Sequence, residues 1–540
     1  MAESTRVLLG DGLFTPTEPG DGQIIATHCR SCGDYFFPRS FTCHNPECEE
    51  RDVEDVALSP TGTVDTYSDM SYPPPPPFVA SKEDWQPTPV VSVRMPEGIH
   101  IIGMMEDCTP EELSIGMEVK TVIRVLYTKK NGEELVGWKF RRVSAMEDIA
   151  IIGVGLHPWG KFPEKFWTNM ASDAVNDALK DAGIRWKDVQ VVVSGSQNWG
   201  GRKGIYAGSY IDEVMGYTGV PTMNINNACA TGGTCIAVAA AMVASGQADI
   251  ALAVAADKSA KGFFPFLPPY HEEPVPADDT MRWLMGLPNP IYWALECRKK
   301  MDKCGITDEH LAMVKVATSK HGSLNPAARY QKEFTLEEVL ASPMVTTPLR
   351  LYEICATSDG AGAAILCNAR KAKQFTSRPV TICGSGLGSP LYGDPTTRIP
   401  VVGFQPKEGV PIISESWVAA RAAFEDAGMG PDDVDFVEVP DNSSWHYFQY
   451  LETMGFFEEG TAHLALERGE TVIGGRLPVC PSGGFSSFGE ATMAQGFAQV
   501  YEMVLQLRGQ CGARQVEGAK VGMSEVYGMA GNNSALILKN

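Results

Sequence analysis

The spacing of apolar positions divides the chain into blocks of different character. Residues 1–23 hold Gly, Pro, Thr and acidic residues with no apolar period, which predicts an irregular arm. From 53 to 145, short β-rich runs at 62–67, 90–93, 100–104 and 119–125 alternate with turns, a spacing that predicts a small all-β barrel. Between them five prolines at 73–77 predict a stiff extended segment laid against a neighbouring domain. A buried strand and Gly turn then restart the chain at Ile149-Ala150-Ile151-Ile152-Gly153-Val154-Gly155. Met146, just before it, reads as the first residue of a formerly separate protein, which places a fusion point at about 145. The Gly-x-Gly lacks the third Gly and the acid of a dinucleotide fingerprint.

Beyond that point the pattern occurs twice. Asp181-Ala182-Gly183 precedes Asp188-Val189 and a strand, and Asp426-Ala427-Gly428 precedes Asp433-Val434 and a strand, at the same spacing. Cys229-Ala230-Thr231-Gly232-Gly233 opens an unbroken small-residue run, 234–244, that predicts a buried helix; Cys480-Pro481-Ser482-Gly483-Gly484 echoes it and is expected to open another. Two α/β halves, 146–375 and 376–540, stacked as a duplicated five-layer α-β-α-β-α body around one shared site, are the predicted architecture.

Charge narrows the partners. A net charge of -21 repels nucleic acid and anionic membrane alike, and no apolar run approaches the roughly 20 residues that span a bilayer. No N-terminal signal pattern is expected, and the 14 cysteines scattered through a long chain suit a reducing cytoplasm. Four of them are different in kind. Cys29, Cys32, Cys43 and Cys48 form two short Cys turns able to hold one zinc tetrahedrally, with His44 a substitute ligand for one thiolate. Four ligands leave no open position, so the zinc is expected to be structural. A zinc ribbon at 24–52 leading into a barrel at 53–145 resembles the zinc-ribbon/OB accessory proteins that partner thiolase-like enzymes. In that family the barrel handles acyl-CoA.

Cys229 is the candidate nucleophile. The turn feeding a helix N-terminus is expected to lower the pKa of its thiol, and the adjoining glycines allow close approach of a substrate. The motifs around it resemble the thiolase superfamily, and within it the lipid-transfer-protein-like branch, over essentially all of 146–540. They are Asn226-Asn227-Ala228-Cys229-Ala230-Thr231-Gly232, Lys320-His321 with Asn325-Pro326, Pro348-Leu349-Arg350-Leu351, Cys355-Ala356-Thr357-Ser358-Asp359-Gly360, and Gly474-Gly475-Arg476-Leu477-Pro478. The resemblance implies chemistry on acyl-CoA, with coenzyme A as co-substrate, an acyl group carried on Cys229, and a homodimer built through this body. It also implies contacts to the ligand by Asn227, His321, Gly483, Gly484 and Gly528.

Departures from the family pattern bear on the proton chemistry. Gly489-Glu490-Ala491 stands where thiolases have Gly-His-Pro, Pro440-Asp441-Asn442-Ser443 where the lipid-transfer branch has His-Asp-Cys-Phe, and Tyr527-Gly528 near the family's final Cys-x-Gly. Glu490, Cys480, His446, Asp441 and Tyr527 are therefore the candidate proton-handling residues, with Cys480 expected to face Cys229. Steroid side-chain aldolases of the superfamily share Gly-Glu-Ala but follow it with Tyr and lack the nucleophile; here Thr492 follows and Cys229 is present. The sequence also resembles the two-subunit thiolases that cleave arylsuccinyl-type CoA esters in aromatic degradation. Three functions follow: thiolase-type cleavage or condensation of an unusual β-ketoacyl-CoA, retro-aldol cleavage of a β-hydroxyacyl-CoA, or acyl-CoA carriage without turnover. The unit 1–145 is expected to form one wall of the substrate channel, and the aromatic-rich loop 263–283 to grip the acyl group.

Overall fold

The computed structural model describes residues 6–17, 20–72, 87–106, 108–110, 113–128, 133–142, 149–196, 204–259, 289–397, 405–529 and 531–540. The expectations for 73–77, the 142–146 junction and 263–283 fall wholly or mostly outside them. The chain forms two compact units, Met1–Ala145 and Met146–Asn540.

In the first unit, Thr61–Met70, Thr88–Arg94 and His100–Glu106 pair in sequence. His100–Glu106 then pairs in parallel with Glu134–Arg142, which pairs with Glu118–Thr128, and that strand returns to Thr61–Met70. The ring closes as an OB-type barrel around Val64, Val91, Val93, Ile101 and Phe140. The N-terminal segment differs from the expected irregular arm. Arg6–Leu8 and Gly20–Asp21 extend the barrel sheet, and Phe14–Thr15 pairs with Gln23–Cys29. Arg6–Leu8, Phe14–Thr15 and Gly20–Asp21 are two or three residues long, too short to leave a period in the sequence.

The second unit is built on a nine-stranded sheet. From Ile149–Gly160 outward, one half runs through Asp359–Asn368, Ile250–Lys258, Val191–Gly195 and Thr222–Asn224. The other runs from Val380–Gly388 through Asn532–Lys539 and Val521–Gly528 to Phe436–Glu438, with Val479 bridging Val437 where the first half has its last strand. The halves meet at the antiparallel pairing of Ile149–Gly160 with Val380–Gly388. Alternation sorts each strand between layers. Ile149 and Ile151 face the central core with the helices Thr231–Ala244 and Gln495–Leu507, while Ala150 and Ile152 face the outer helix Trp167–Ala182.

The duplicated Asp-Ala-Gly has the same role twice. Asp181 accepts the Val154 N–H at 2.9 Å and Asp426 the Ser385 N–H at 3.1 Å, while Gly183 and Gly428 end their helices at φ 67° and 63°. Gly155 and Gly386 are needed because a β-carbon there would overlap the backbone carbonyl of the helix above, Ala174 and Ala419 respectively. The Cys229/Cys480 echo does not hold in three dimensions. Central helices Thr231–Ala244 and Gln495–Leu507 touch through Gly232, Gly233 and Gly496, so the counterpart of the Cys229 turn is the segment just before Gln495. Cys480 instead follows directly on Val479, and the short helix Gly484–Phe488 is inserted after it.

Candidate functional site

Cys229 ends the loop between Thr222–Asn224 and the helix Thr231–Ala244. That turn is tied from within. Ala228 adopts φ 47°, its N–H donates to the Asn226 side chain at 3.3 Å, and the Thr231 hydroxyl donates to its carbonyl at 2.6 Å. The Asn227 N–H donates to Thr231 Oγ1 at 2.8 Å and its side-chain amide to Thr234 Oγ1 at 3.0 Å. The Asn-rich lead-in thus shapes the turn that presents Cys229, and Asn227 donates within it. Gly528 supports the same loop from behind, since a β-carbon would overlap the Asn227 carbonyl.

Glu490 reaches this thiol from the other half. The Cys229 Sγ donates to Glu490 Oε1 at 3.5 Å, and the Cys355 Sγ donates to Oε2 at 3.6 Å. One carboxylate therefore lies between two thiols. Its backbone is fixed by three bonds: Glu490 N–H to Ala356 O at 2.6 Å, and Ser259 Oγ and Ser358 N–H to Glu490 O at 2.9 Å each. Gly489, at φ 79°, permits this approach because a β-carbon would meet Ser358 Oγ and Ala356 O. Asp257 holds the following residues, accepting from Thr492 Oγ1 and from the Met493 N–H at 3.4 Å.

Burial sets the proton energetics. It raises the Glu490 carboxyl to about 7, against the two thiol hydrogen bonds that favour its charge. Cys229 is pushed well above the ordinary thiol range, by burial first and the Glu490 charge next; the Met529 backbone N–H works in the opposite direction. The expected lowering of this pKa is therefore reversed, first because the thiol is buried and next because a carboxylate lies beside the sulfur. Cys355 is raised by the same two causes, and its sulfur accepts from Asn442 Nδ2 at 3.8 Å. The site can pass a proton from thiol to carboxylate as sulfur attacks, with no standing thiolate.

Other sequence candidates have structural partners. Cys480, fully buried, donates its thiol to Val439 O at 3.4 Å and forms no hydrogen bond with Cys229. His321 donates from Nδ1 to Cys480 O at 3.0 Å and accepts the Ile473 N–H at Nε2 at 3.2 Å, which leaves neither nitrogen for coenzyme A. Asp441 accepts the Phe485 and Ser486 N–H groups at 2.6 and 3.3 Å, capping the short helix. Gly484 makes room for that carboxylate and Gly483 for the backbone of Gly322. His446 pairs with Ser443 Oγ at 2.9 Å inside a box of Trp293, Trp445 and Tyr450, where burial lowers its pKa to about 3 and keeps it neutral. Tyr527 lies 6.5 Å from the Tyr450 ring, beside that box. The residue that sequence reasoning missed is Cys355. It stood inside a quoted motif, but its link to Glu490 spans 135 residues.

A cavity of about 290 Å³ is lined by Cys355, Lys315, Tyr330, Phe334 and Tyr352 among others. A larger one, about 920 Å³, lies against Arg378, Arg508 and Asn540 and shares no residue with Cys229 or Glu490. In the first unit, the sulfurs of Cys29, Cys32, Cys43 and Cys48 all lie within 4.8 Å of one another, with 3.7 Å between Cys29 and Cys48 and 3.5 Å between Cys32 and Cys43. Tetrahedral zinc–thiolate bonds of about 2.3 Å place sulfurs close to these separations, so the donor set fits. His44 is outside the cluster, bound to Ser40 Oγ at 2.7 Å.

A duplicated α/β body with a cysteine at the N-terminus of one central helix and a carboxylate before the other defines a thiolase-like enzyme. The chain matches the thiolase N-terminal domain over residues 149–261, the thiolase C-terminal domain-like family over 411–540, and the ChsH2 C-terminal OB-fold domain over 55–124. It is 34% identical to the acetyl-CoA acetyltransferase of Methanothermobacter thermautotrophicus, over 72% of this chain and 99% of that one. It is 31% identical to sterol carrier protein 2 of Bos taurus, over 71% of this chain and 70% of the relative. With the benzoylsuccinyl-CoA thiolase subunit BbsB of Thauera aromatica it shares 30%, over 70% and 94%. Among solved structures it is similar in fold to an Ltp2-ChsH2(DUF35) aldolase, with a TM-score of 0.63 and 24% identity over 73% of this chain and 98% of that one. Human mitochondrial 3-ketoacyl-CoA thiolase gives 0.53 at 16%, over 73% and 99%. The chain belongs to the thiolase family, as a thiolase-like acyltransferase carrying an OB-fold unit of the ChsH2 kind. No helix among the described residues is long and apolar enough to cross a membrane.

Proposed function

We propose that the protein cleaves, or in reverse condenses, a bulky β-ketoacyl-CoA with coenzyme A through an acyl-Cys229 intermediate. The observation that carries this reading is the Cys229–Glu490 pair at 3.5 Å, with the carboxyl at about 7. A base with its pKa near the working pH combines availability with driving force. In cleavage, Glu490 takes the Cys229 proton as Sγ bonds to the β-carbonyl carbon. The bond between the α- and β-carbons breaks, leaving an acyl group on Cys229 and a carbanion on the departing acyl-CoA. Cys355 gives its proton to that carbanion and recovers one from Glu490 through Oε2. The coenzyme A thiol then attacks acyl-Cys229, and its proton returns by way of Glu490 to the Cys229 sulfur. The two thiols on one carboxylate support this sharing of a single proton store.

The test is to expose the full-length protein to a panel of β-ketoacyl-CoAs and map the products by intact mass and peptide mass spectrometry. An acyl mass on the peptide containing Cys229 is the expected result; turnover with no adduct on any cysteine would end the reading. We also infer that the enzyme works in the cytoplasm as a homodimer formed through residues 146–540. Light scattering at micromolar concentration is expected to give twice the chain mass, and a clean monomer would refute the dimer.

A further inference from the structure

The cavity beside Cys355 contains a feature that acyl transfer alone does not require. Lys315 is 5% exposed, and its Nζ donates to Ser486 O at 2.7 Å and Ser486 Oγ at 3.1 Å. An ammonium has three donors, and among the described residues no carboxylate lies within ion-pair distance of this one. Burial lowers it to about 8 even though the Asp441 charge acts in the opposite direction. A buried cation without a paired anion is costly unless a ligand supplies the charge.

The rest of the cavity agrees with an anionic occupant. None of its described lining residues is acidic, in a chain whose net charge is -21. The Lys315 Nζ lies 5.0 Å from the Phe334 ring centre, and Phe334 packs on Tyr352 with centres 4.7 Å apart. Arg329 stands over Tyr330 at 4.7 Å, adding positive charge nearby, while Lys332, over the same Phe334 ring at 4.6 Å, is paired with Glu338 at 2.9 Å. At about 290 Å³ the space is at the small end for ligand sites, enough for an acyl group and too little for a whole coenzyme A ester. Cys355 on its wall leads to Glu490, which fixes the end at which the reaction occurs.

We infer that this cavity takes the acyl portion of a CoA thioester that carries a carboxylate of its own, with Lys315 as the carboxylate anchor and Phe334 and Tyr352 flanking the carbon chain. The inference rests on the acyl-CoA reading above and names the substrate class within it: dicarboxylic monothioesters.

Two probes of equal chain length isolate the anchor, succinyl-CoA with a terminal carboxylate and butyryl-CoA with a methyl group. Affinities are measured by calorimetry on full-length Cys229→Ala, which cannot be acylated at that position. Succinyl-CoA is expected to bind at least about tenfold more tightly, the scale of a charge-assisted hydrogen bond. Adding Lys315→Met should remove that preference by weakening succinyl-CoA alone, while Lys315→Arg should retain part of it. Equal affinities in the Lys315 protein, or a preference that survives Lys315→Met, would overturn the assignment. The Lys315 comparison decides the matter even if the Met variant does not fold. Since calorimetry needs no acyl-enzyme, failure of the anchor and failure of the Cys229 intermediate give separate results.

Discussion

Glu490→Gln is expected to slow acylation of Cys229 by about 10²–10⁴-fold, the usual contribution of a positioned general base. Burial and the adjoining carboxylate disfavour a standing Cys229 thiolate, so the proton must leave as sulfur attacks. Glutamine keeps an oxygen for the Cys229 thiol, and the backbone bonds to Ala356, Ser259 and Ser358 do not involve the side chain, so geometry survives while basicity is lost. The pH profile supplies the sign. The carboxyl is raised from 4.5 to about 7, so the active, deprotonated form accumulates only as pH rises through about 7, and the rate should climb across that range. In Glu490→Gln that inflection should disappear. Stability runs the other way: a carboxyl whose folded pKa is raised loses its stabilising proton as pH rises from about 4.5 through 7, so the Gln variant should melt no lower than the native protein at pH 8.

Cys229→Ala sets the floor, with no acyl adduct and no thiolytic turnover. Cys355→Ser should leave acylation largely intact and slow exchange of the substrate α-proton, because its link to Glu490 is through the other oxygen. Rapid-quench mass spectrometry reads the first step and deuterium exchange into substrate reads the second. Unchanged acylation in Glu490→Gln, with its inflection near pH 7 intact, would exclude Glu490 as the base. Turnover of a β-hydroxyacyl-CoA by Cys229→Ala would point to aldol cleavage instead.

What the sequence made legible were features encoded locally. The two Asp-Ala-Gly helix ends predicted the duplication because each acts over one helix and one strand: a C-cap glycine and a carboxylate bonded to a strand N–H. The four cysteines were readable because their spacing defines two ligand turns. Cys229 was readable as a residue, though its electrostatics were not. A helix N-terminus is visible in sequence, whereas the burial that raises the thiol comes from the folded packing and the carboxylate that adds to it lies 261 positions away. The Cys480 echo failed for a related reason. Similar Cys-and-Gly-Gly strings arise from unrelated needs, Gly232 admitting the facing central helix and Gly233 the Ser534 side chain, against Gly483 and Gly484 admitting Gly322 and Asp441. His321, Asp441 and His446 were read as chemistry because polar groups next to motifs invite it. The hydrogen-bond partners of His321 and Asp441, which decide the question, come from segments far apart in the chain, whereas His446 bonds Ser443 three positions away and is kept neutral by burial.

Removing metal from the first unit is expected to unfold the Cys turns of the ribbon. Its strands, Gln23–Cys29, Tyr35–Phe36 and Val53–Ala57, surround a cluster in which Cys29, Cys43 and Cys48 are the buried residues and only Phe36 and Val53 pack as partly buried apolar neighbours. Ile24 and Ala26 of the first strand are held in the barrel core, but the apolar core around the Cys turns themselves is too small to offset the conformational entropy of ordering them. Zinc bound by four thiolates supplies about 10–16 kcal/mol in small zinc peptides near neutral pH, far more than that core can. The sulfur separations of 3.5 and 3.7 Å show a donor set already gathered for a tetrahedral ion. Elemental analysis of the purified protein should therefore give one zinc per chain. The double variant Cys29→Ser/Cys43→Ser should lose it, and residues 29–53 should lose hydrogen-exchange protection, while the central helices Thr231–Ala244 and Gln495–Leu507 keep theirs. Zinc retained in the double variant, or a metal-free ribbon with unchanged protection, would show that the four cysteines do not hold this part of the chain together.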